Sequence, residues 1–311
     1  MTRTIGAILI SLFSTSLFSQ DYSSFDRANK QALRDYESGQ YRAAIEGFTT
    51  VIKLTSTLGP PKPAFRLDAR RDGVSSVGLF DYGEITVLDP RTAVAYVNRG
   101  KSYLNLGEAD AAINDFDRAV LIAPALSAAF QCRGVAQIIK TRFEEAAMDF
   151  ERVIKLNPAD IAGYLGRGEA RLRMGRVKAA LDDFDHAVTL DPKSSAALYR
   201  RAEGFRRSGN LKEALQDYEK AIAIDPKLVD GYIGRSMVYW KLREIDLAFA
   251  DADRAVELAP GLGLAYGTRG MMLMEKRKFS EARKDLLRAV ELDPSLKPEI
   301  DANLKLIEAR E

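Results

Sequence analysis

The chain has one cysteine, one histidine and one tryptophan in 311 residues. Cys132 therefore has no partner for an internal disulfide, and one histidine with one cysteine cannot assemble the usual zinc sites. Cys132 lies far from the N-terminus, which excludes lipid attachment at a bacterial lipobox. Charge of one sign is also lacking: 46 basic residues face 44 acidic ones, so no strong field exists for nucleic acid or anionic lipid. No Asn-x-Ser/Thr sequon occurs, which fits an exported bacterial protein better than a eukaryotic secreted one. Beyond Gln20 no run is long and apolar enough to cross a bilayer.

Proline, by contrast, is placed with great regularity. Pro90, Pro124, Pro158, Pro192, Pro226, Pro260 and Pro294 are evenly spaced, one to each period of a repeat. A unit can be numbered 1 to 34 from Ala93, with further units starting at Ser127, Ile161, Ser195, Val229 and Gly263. Position 8 reads Gly100, Gly134, Gly168, Ala202, Ser236, Gly270; position 20 reads Ala112, Ala146, Ala180, Ala214, Ala248, Ala282; position 24 reads Phe116, Phe150, Phe184, Tyr218, Ala252, Leu286. Small residues at positions 8 and 20 let two antiparallel helices approach closely, a ring at 24 fills the space beside them, and proline at 32 ends the second helix.

This 34-residue pattern resembles the tetratricopeptide repeat (TPR) family. The resemblance implies an all-α solenoid, a right-handed superhelix of antiparallel helix pairs, in which no single core surrounds an active site and the stack offers a long binding surface. Six regular units span 93–296. Two periods upstream of Ala93 lies a further unit at 25–58, with Ala28, Ala32, Gly39, Ala44 and Phe48 in phase. Residues 59–92 keep the period, since Asp81-Tyr82 and Leu88-Asp89-Pro90 fall at positions 23–24 and 30–32, and read as a degraded unit that brings the count to eight. The rival reading of 59–92 is a loop with a β-hairpin, Val74–Phe80 against Glu84–Leu88. At the C-terminus, 297–311 holds Ile300, Leu304 and Ile307 on one stripe and reads as a capping helix.

The first residues follow another plan. Met1-Thr2-Arg3 precedes an uncharged stretch, Thr4–Gln20, apolar from Ile5 to Phe18. This is the layout of a secretory signal peptide at 1–19, cleaved after Ser19, and it predicts an exported, periplasmic or extracellular protein with no membrane insertion after cleavage. The alternative is membrane anchoring through an uncleaved signal.

Catalytic signals are few, and the chain reads as no enzyme, with no cofactor and no metal. His186 stands at position 26, where other units carry Arg118, Arg152, Lys220, Arg254 and Arg288, so it reads as a solvated helix residue. The Gly261–Gly267 stretch has the wrong spacing for a nucleotide loop. One polar pattern repeats: arginine at position 7 (Arg99, Arg133, Arg167, Arg201, Arg235, Arg269) and aspartate at position 23 (Asp115, Asp149, Asp183, Asp217, Asp251, Asp285). Structural ion pairs are expected from it, Arg167 with Asp183 and Arg201 with Asp217 among them.

The family resemblance places ligands on the concave side, at positions 2, 5, 6, 9, 12 and 13 of the first helix. There the chain offers Asn98 and Lys101 in one unit and, further on, a basic cluster of Arg173, Arg200, Arg206, Arg207 and Lys241 beside Trp240. Arginine and tryptophan are enriched in binding hot spots. The carboxylate clamp of chaperone-binding TPR proteins is not matched, and the asparagine ladder of glycosyltransferase-associated arrays is missing beyond Asn98. The implied role is a scaffold or adaptor for a protein or peptide partner; the second reading is a non-catalytic regulatory or substrate-carrier subunit of an envelope enzyme complex handling glycan or peptide.

Overall fold

In a computed structural model the chain is an all-α solenoid; residues 18–57 and 90–310 are described, and among them no strand occurs. Two compact units divide the chain, Met1–Asn157 and Pro158–Glu311. The first holds three helix pairs: α1 (Phe18–Glu37) with α2 (Tyr41–Thr57), α3 (Pro90–Asn105) with α4 (Ala109–Ile122), and α5 (Ser127–Ile139) with α6 (Phe143–Leu156). The second holds four: α7 (Ile161–Arg173) with α8 (Val177–Leu190), α9 (Ser195–Ser208) with α10 (Leu211–Ile224), α11 (Val229–Lys241) with α12 (Ile245–Leu258), and α13 (Gly263–Glu275) with α14 (Phe279–Leu292). A short 3-10 turn, Pro294–Leu296, leads into α15 (Lys297–Glu308).

The chain sets each helix end by local chemistry. From Pro124 onward the residue before each repeat proline leaves the helical conformation, with φ from −123° at Asp225 to −144° at Asn157, because the proline ring crowds a helical backbone there. Between the two helices of a pair the chain reverses through one left-handed residue at position 15. Glycine holds that place in Gly39, Gly107, Gly175 and Gly209, but Thr141 (φ 57°), Arg243 (66°) and Arg277 (58°) adopt the same conformation with a side chain.

The close approach of the paired helices is enforced by glycine against a ring. A Cβ on Gly168 would lie 2.4 Å from Phe184 Cε1, and one on Gly100 would lie 2.5 Å from Phe116 Cε1. Phe116, Phe184 and Tyr218 are fully buried, and Phe150 nearly so. Ala252 breaks the series, and the missing volume is supplied by Met272, which is fully buried in a cluster with Ala248 and Ala252 although the other regular units from Ala93 onward keep smaller residues at its position. At the C-terminus Ile300 and Ile307 bury against Leu286 and Ala289, with Leu304 packed alongside, so α15 covers the last pair.

Nearly all of the signal segment, residues 1–17, and of 59–92, residues 59–89, lies outside the described residues. Those on either side of the second segment are informative: α3 packs directly on α2, where Phe25, Val51 and Ile52 cluster with Ala95, and Arg99 Nη1 donates to Thr49 Oγ1 at 2.9 Å. Among the described residues there are seven helix pairs, and α3 packs on α2.

The position-15 residues give a direct test. A Cβ on Gly175 would meet nothing within 4 Å, so only backbone conformation is at stake. Gly175→Ala is expected to lower stability by ~1 kcal/mol and Thr141→Gly to raise it by a similar amount; urea unfolding followed by circular dichroism reads both shifts.

Candidate functional site

In each regular pair the arginine at position 7 reaches across to the aspartate at position 23 as a two-pronged fork. Arg99 Nε and Nη2 each lie 2.7 Å from an Asp115 oxygen; Arg235 Nε and Nη2 lie 2.7 and 2.8 Å from Asp251; Arg201 reaches Asp217 at 2.6 and 2.9 Å. Arg167 Nη2 meets Asp183 Oδ1 at 2.6 Å, and Asp183 Oδ2 also accepts from Arg171 at 2.7 Å. The aspartates are buried, and the hydrogen bonds they accept raise the pKa of Arg99, Arg133, Arg201, Arg235 and Arg269 against the opposing effect of burial. Most of the guanidinium groups also sit over a ring at position 4: Arg99 over Tyr96 at 5.3 Å and Arg269 over Tyr266 at 5.5 Å.

The third prong joins neighbouring pairs. Arg133 Nη1 donates to Asp117 at 2.6 Å, Arg201 Nη1 to Asp185 at 3.0 Å, and Arg269 Nη1 to Asp253 at 2.7 Å, each on the second helix of the preceding pair. Arg99 makes the equivalent bond to Thr49. One side chain thus closes its own pair and fixes the pair before it.

The first helices of successive pairs touch, α3 with α5 in the first unit and α7, α9, α11 and α13 in sequence in the second, so their outer side chains form the inner face of each unit. In the second unit this face is not a field of free cations. Glu169 takes Arg173 Nε on one oxygen at 2.8 Å and Arg200 Nη1 on the other at 2.9 Å. Glu203 takes Arg206 Nε at 2.9 Å, Arg207 Nε at 3.1 Å and the Tyr218 hydroxyl at 3.0 Å. The arginines of the basic cluster named from the sequence are thus each paired with one of these two carboxylates. Burial works against the Glu203 carboxylate, yet the Arg206, Arg207 and Tyr218 donors outweigh it and hold it below the usual range. That contribution is present above the ordinary glutamate range and is lost as pH falls below it. Burial, then the nearby charges of Asp230 and Glu203, push the Tyr199 hydroxyl up to about 12.

Trp240 turns its indole N–H to Glu275 of the next pair at 2.9 Å, with Arg243 3.6 Å from the same carboxylate, and its ring joins the cluster of Met271, Met272 and Phe249. Lys241 is exposed next to it. Asn98 and Lys101 lie in the other compact unit and are half-buried on the inner face of α3; Lys101 is close enough to Cys132 to oppose, weakly, the rise that burial imposes on the thiol. The next first helix there is apolar, with Val135 and Ile139 exposed. His186 is exposed and stacks on Tyr164, ring centroids 4.5 Å apart. Among the described residues no group of His, Cys, Asp or Glu is placed to hold a metal ion.

What the sequence reading missed was the partner of each face arginine. The signal was present: Glu169 and Arg173 stand four apart, and Glu203 stands three and four from Arg206 and Arg207, spacings that place side chains together on a helix. A double-mutant cycle on Arg235 and Asp251, whose fork stays within its own pair, measures what one fork contributes. Each single alanine is expected to cost ~3 kcal/mol and the coupling to reach ~1–3 kcal/mol; additive losses in urea unfolding would contradict it.

The chain can now be set beside known proteins. The tetratricopeptide repeat family models match residues 93–126, 140–195, 165–229 and 264–296, together about half the chain. Comparison with curated proteins finds no match. Among solved structures the chain is similar to a tetratricopeptide repeat protein from Parabacteroides merdae, at 18% identity and TM-score 0.69 over 92% of this chain and 99% of that one. It is also similar to the APC/C hetero-tetramer Cut9-Hcn1 (15% identity, TM-score 0.61, 69% of this chain and 42% of that one) and to pilF of Pseudomonas aeruginosa (15%, 0.57, 70% and 97%). At such identities these likenesses speak to fold alone; the repeat in the sequence, the helix pairs and the family match agree that the chain belongs to the tetratricopeptide repeat family.

Proposed function

We propose that the chain is a non-catalytic scaffold or adaptor, exported from the cytoplasm, that holds a protein or peptide partner along the inner faces of its first helices. TPR arrays are in general binding scaffolds for proteins and peptides rather than enzymes, because a stack of pairs offers extended surface. The observation that carries the reading is a contrast between positions. Packing positions repeat from pair to pair, whereas position 9 changes from Lys101 to Val135, Glu169, Glu203, Met237 and Met271, and position 13 from Asn105 to Ile139, Arg173, Arg207, Lys241 and Glu275. Side chains that packing does not fix, placed on preformed helices, are what distinguish one partner from another. Export rests on the segment Met1–Ser19 and its apolar middle.

Trp240 is the only tryptophan in the chain and stands on this face, so its fluorescence reports a ligand there. Peptides selected from a random library on the purified chain are expected to shift Trp240 emission. They are expected to bind about tenfold more weakly to Arg173→Ala/Arg207→Ala/Lys241→Ala, and equally well to Lys220→Ala on a second helix. Peptides that bind all variants alike and leave Trp240 unmoved would refute the assignment of the face. A reporter joined after Asp21 is expected to cross the membrane; its retention in the cytoplasm would refute export.

A further inference from the structure

On α7 and α9 four guanidinium groups converge on two carboxylates, and the vertical order of these groups matters. The carboxylate side chains are sunk, Glu169 11% and Glu203 12% exposed, while Arg173, Arg200 and Arg207 lie above them at 52, 38 and 38%. Each guanidinium has five donors. These contacts use one donor each from Arg173, Arg200 and Arg207, so most N–H groups of these partly exposed side chains take no part in them. Four positive charges stand over two negative ones, which leaves the patch net cationic. The glutamates also hold the arginine side chains in place, which lowers the entropy an incoming anion must overcome. Toward α11 the face is mixed in charge: Asp230 acts on the Tyr199 hydroxyl and Glu275 accepts from Trp240, while Lys241 is exposed.

We propose that this patch receives the carboxylates of an acidic peptide, with Glu169 acting as an internal stand-in that a ligand carboxylate competes against. This rests on the scaffold reading above and gives its partner a chemistry. A ligand glutamate or aspartate takes the remaining N–H groups of Arg173 and Arg200, where a fork-shaped donor and a two-oxygen acceptor match in shape. Glu169 neutralises part of the charge in the free protein and so weakens the attraction. Removing its charge while keeping its size therefore strengthens acidic binding, a result that a purely structural role for Glu169 would not give.

The test is a calorimetric titration with hexaglutamate peptide, followed also by Trp240 emission. Wild-type protein is expected to bind at low salt and to weaken as salt is raised; Glu169→Gln is expected to bind about tenfold more tightly, and Arg173→Ala/Arg200→Ala/Arg207→Ala to lose binding. If the triple variant loses helicity, Arg173→Ala, on the most exposed of the three, carries that arm with an expected loss of about fivefold. No hexaglutamate binding by either wild type or Glu169→Gln would overturn the proposal, as would binding that the arginine substitutions leave unchanged. Displacement of bound hexaglutamate by a uronic-acid oligosaccharide at equal or lower concentration would overturn the choice of a peptide in favour of an acidic glycan. Library peptides free of acidic residues that still bind this face would sink the acidic chemistry while leaving the scaffold reading intact; failure of both libraries and hexaglutamate would sink both.

Discussion

The fold depends most on one buried, charged interaction repeated along the chain: the arginine of the first helix clasping the aspartate of the second. Burying a carboxylate without a partner costs several kcal/mol, so each of the six buried aspartates commits its pair of helices to one register. The fork has two prongs for its own pair and, at Arg133, Arg201 and Arg269, a third for the pair before. Geometry within a layer and geometry between layers therefore share one side chain. Because position 7 is consumed by this task, the neighbouring positions 6, 9, 12 and 13 are released to vary, and the inner face is built from them.

Packing conserves volume rather than residue type. Glycine at position 8 meets a ring at position 24, but where Ala252 replaces the ring Met272 enters from the next helix, and where the ring is Tyr218 its contact comes from Gly234 of the following pair, whose Cβ would lie 2.6 Å from the phenol. Tyr218 is the one ring of this series with a hydroxyl, and that hydroxyl reaches Glu203 on the inner face. The core thus supports the face at the position where the arginines are gathered, and a fully buried ring orients a carboxylate that in turn orients two guanidinium groups.

Much of this was legible in the sequence, and the limits were physical. The constant period, the small–aromatic pairing and the proline stops are local rules, and they located every regular pair from Ala93 onward and the C-terminal helix. Two features were not legible. The charges of Arg173, Arg200, Arg206 and Arg207 were visible but their neutralisation was not, because Arg200 meets Glu169 across two helices, 31 residues apart. The third prong was hidden for the same reason, as position 25 varies between Thr49, Asp117, Glu151, Asp185, Glu219 and Asp253 and shows no single motif.

The central claim is that one arginine stabilises its own pair and the pair before it. Native-state hydrogen exchange on Arg201→Met tests this most directly, because Arg201 joins α9 to α10 through Asp217 and to α8 through Asp185. The account predicts that protection falls in α8, α9 and α10 together, by about 100-fold for a loss of ~3 kcal/mol, while α14 keeps its protection. Unchanged protection in α8, or a fall no larger there than in α14, would contradict it.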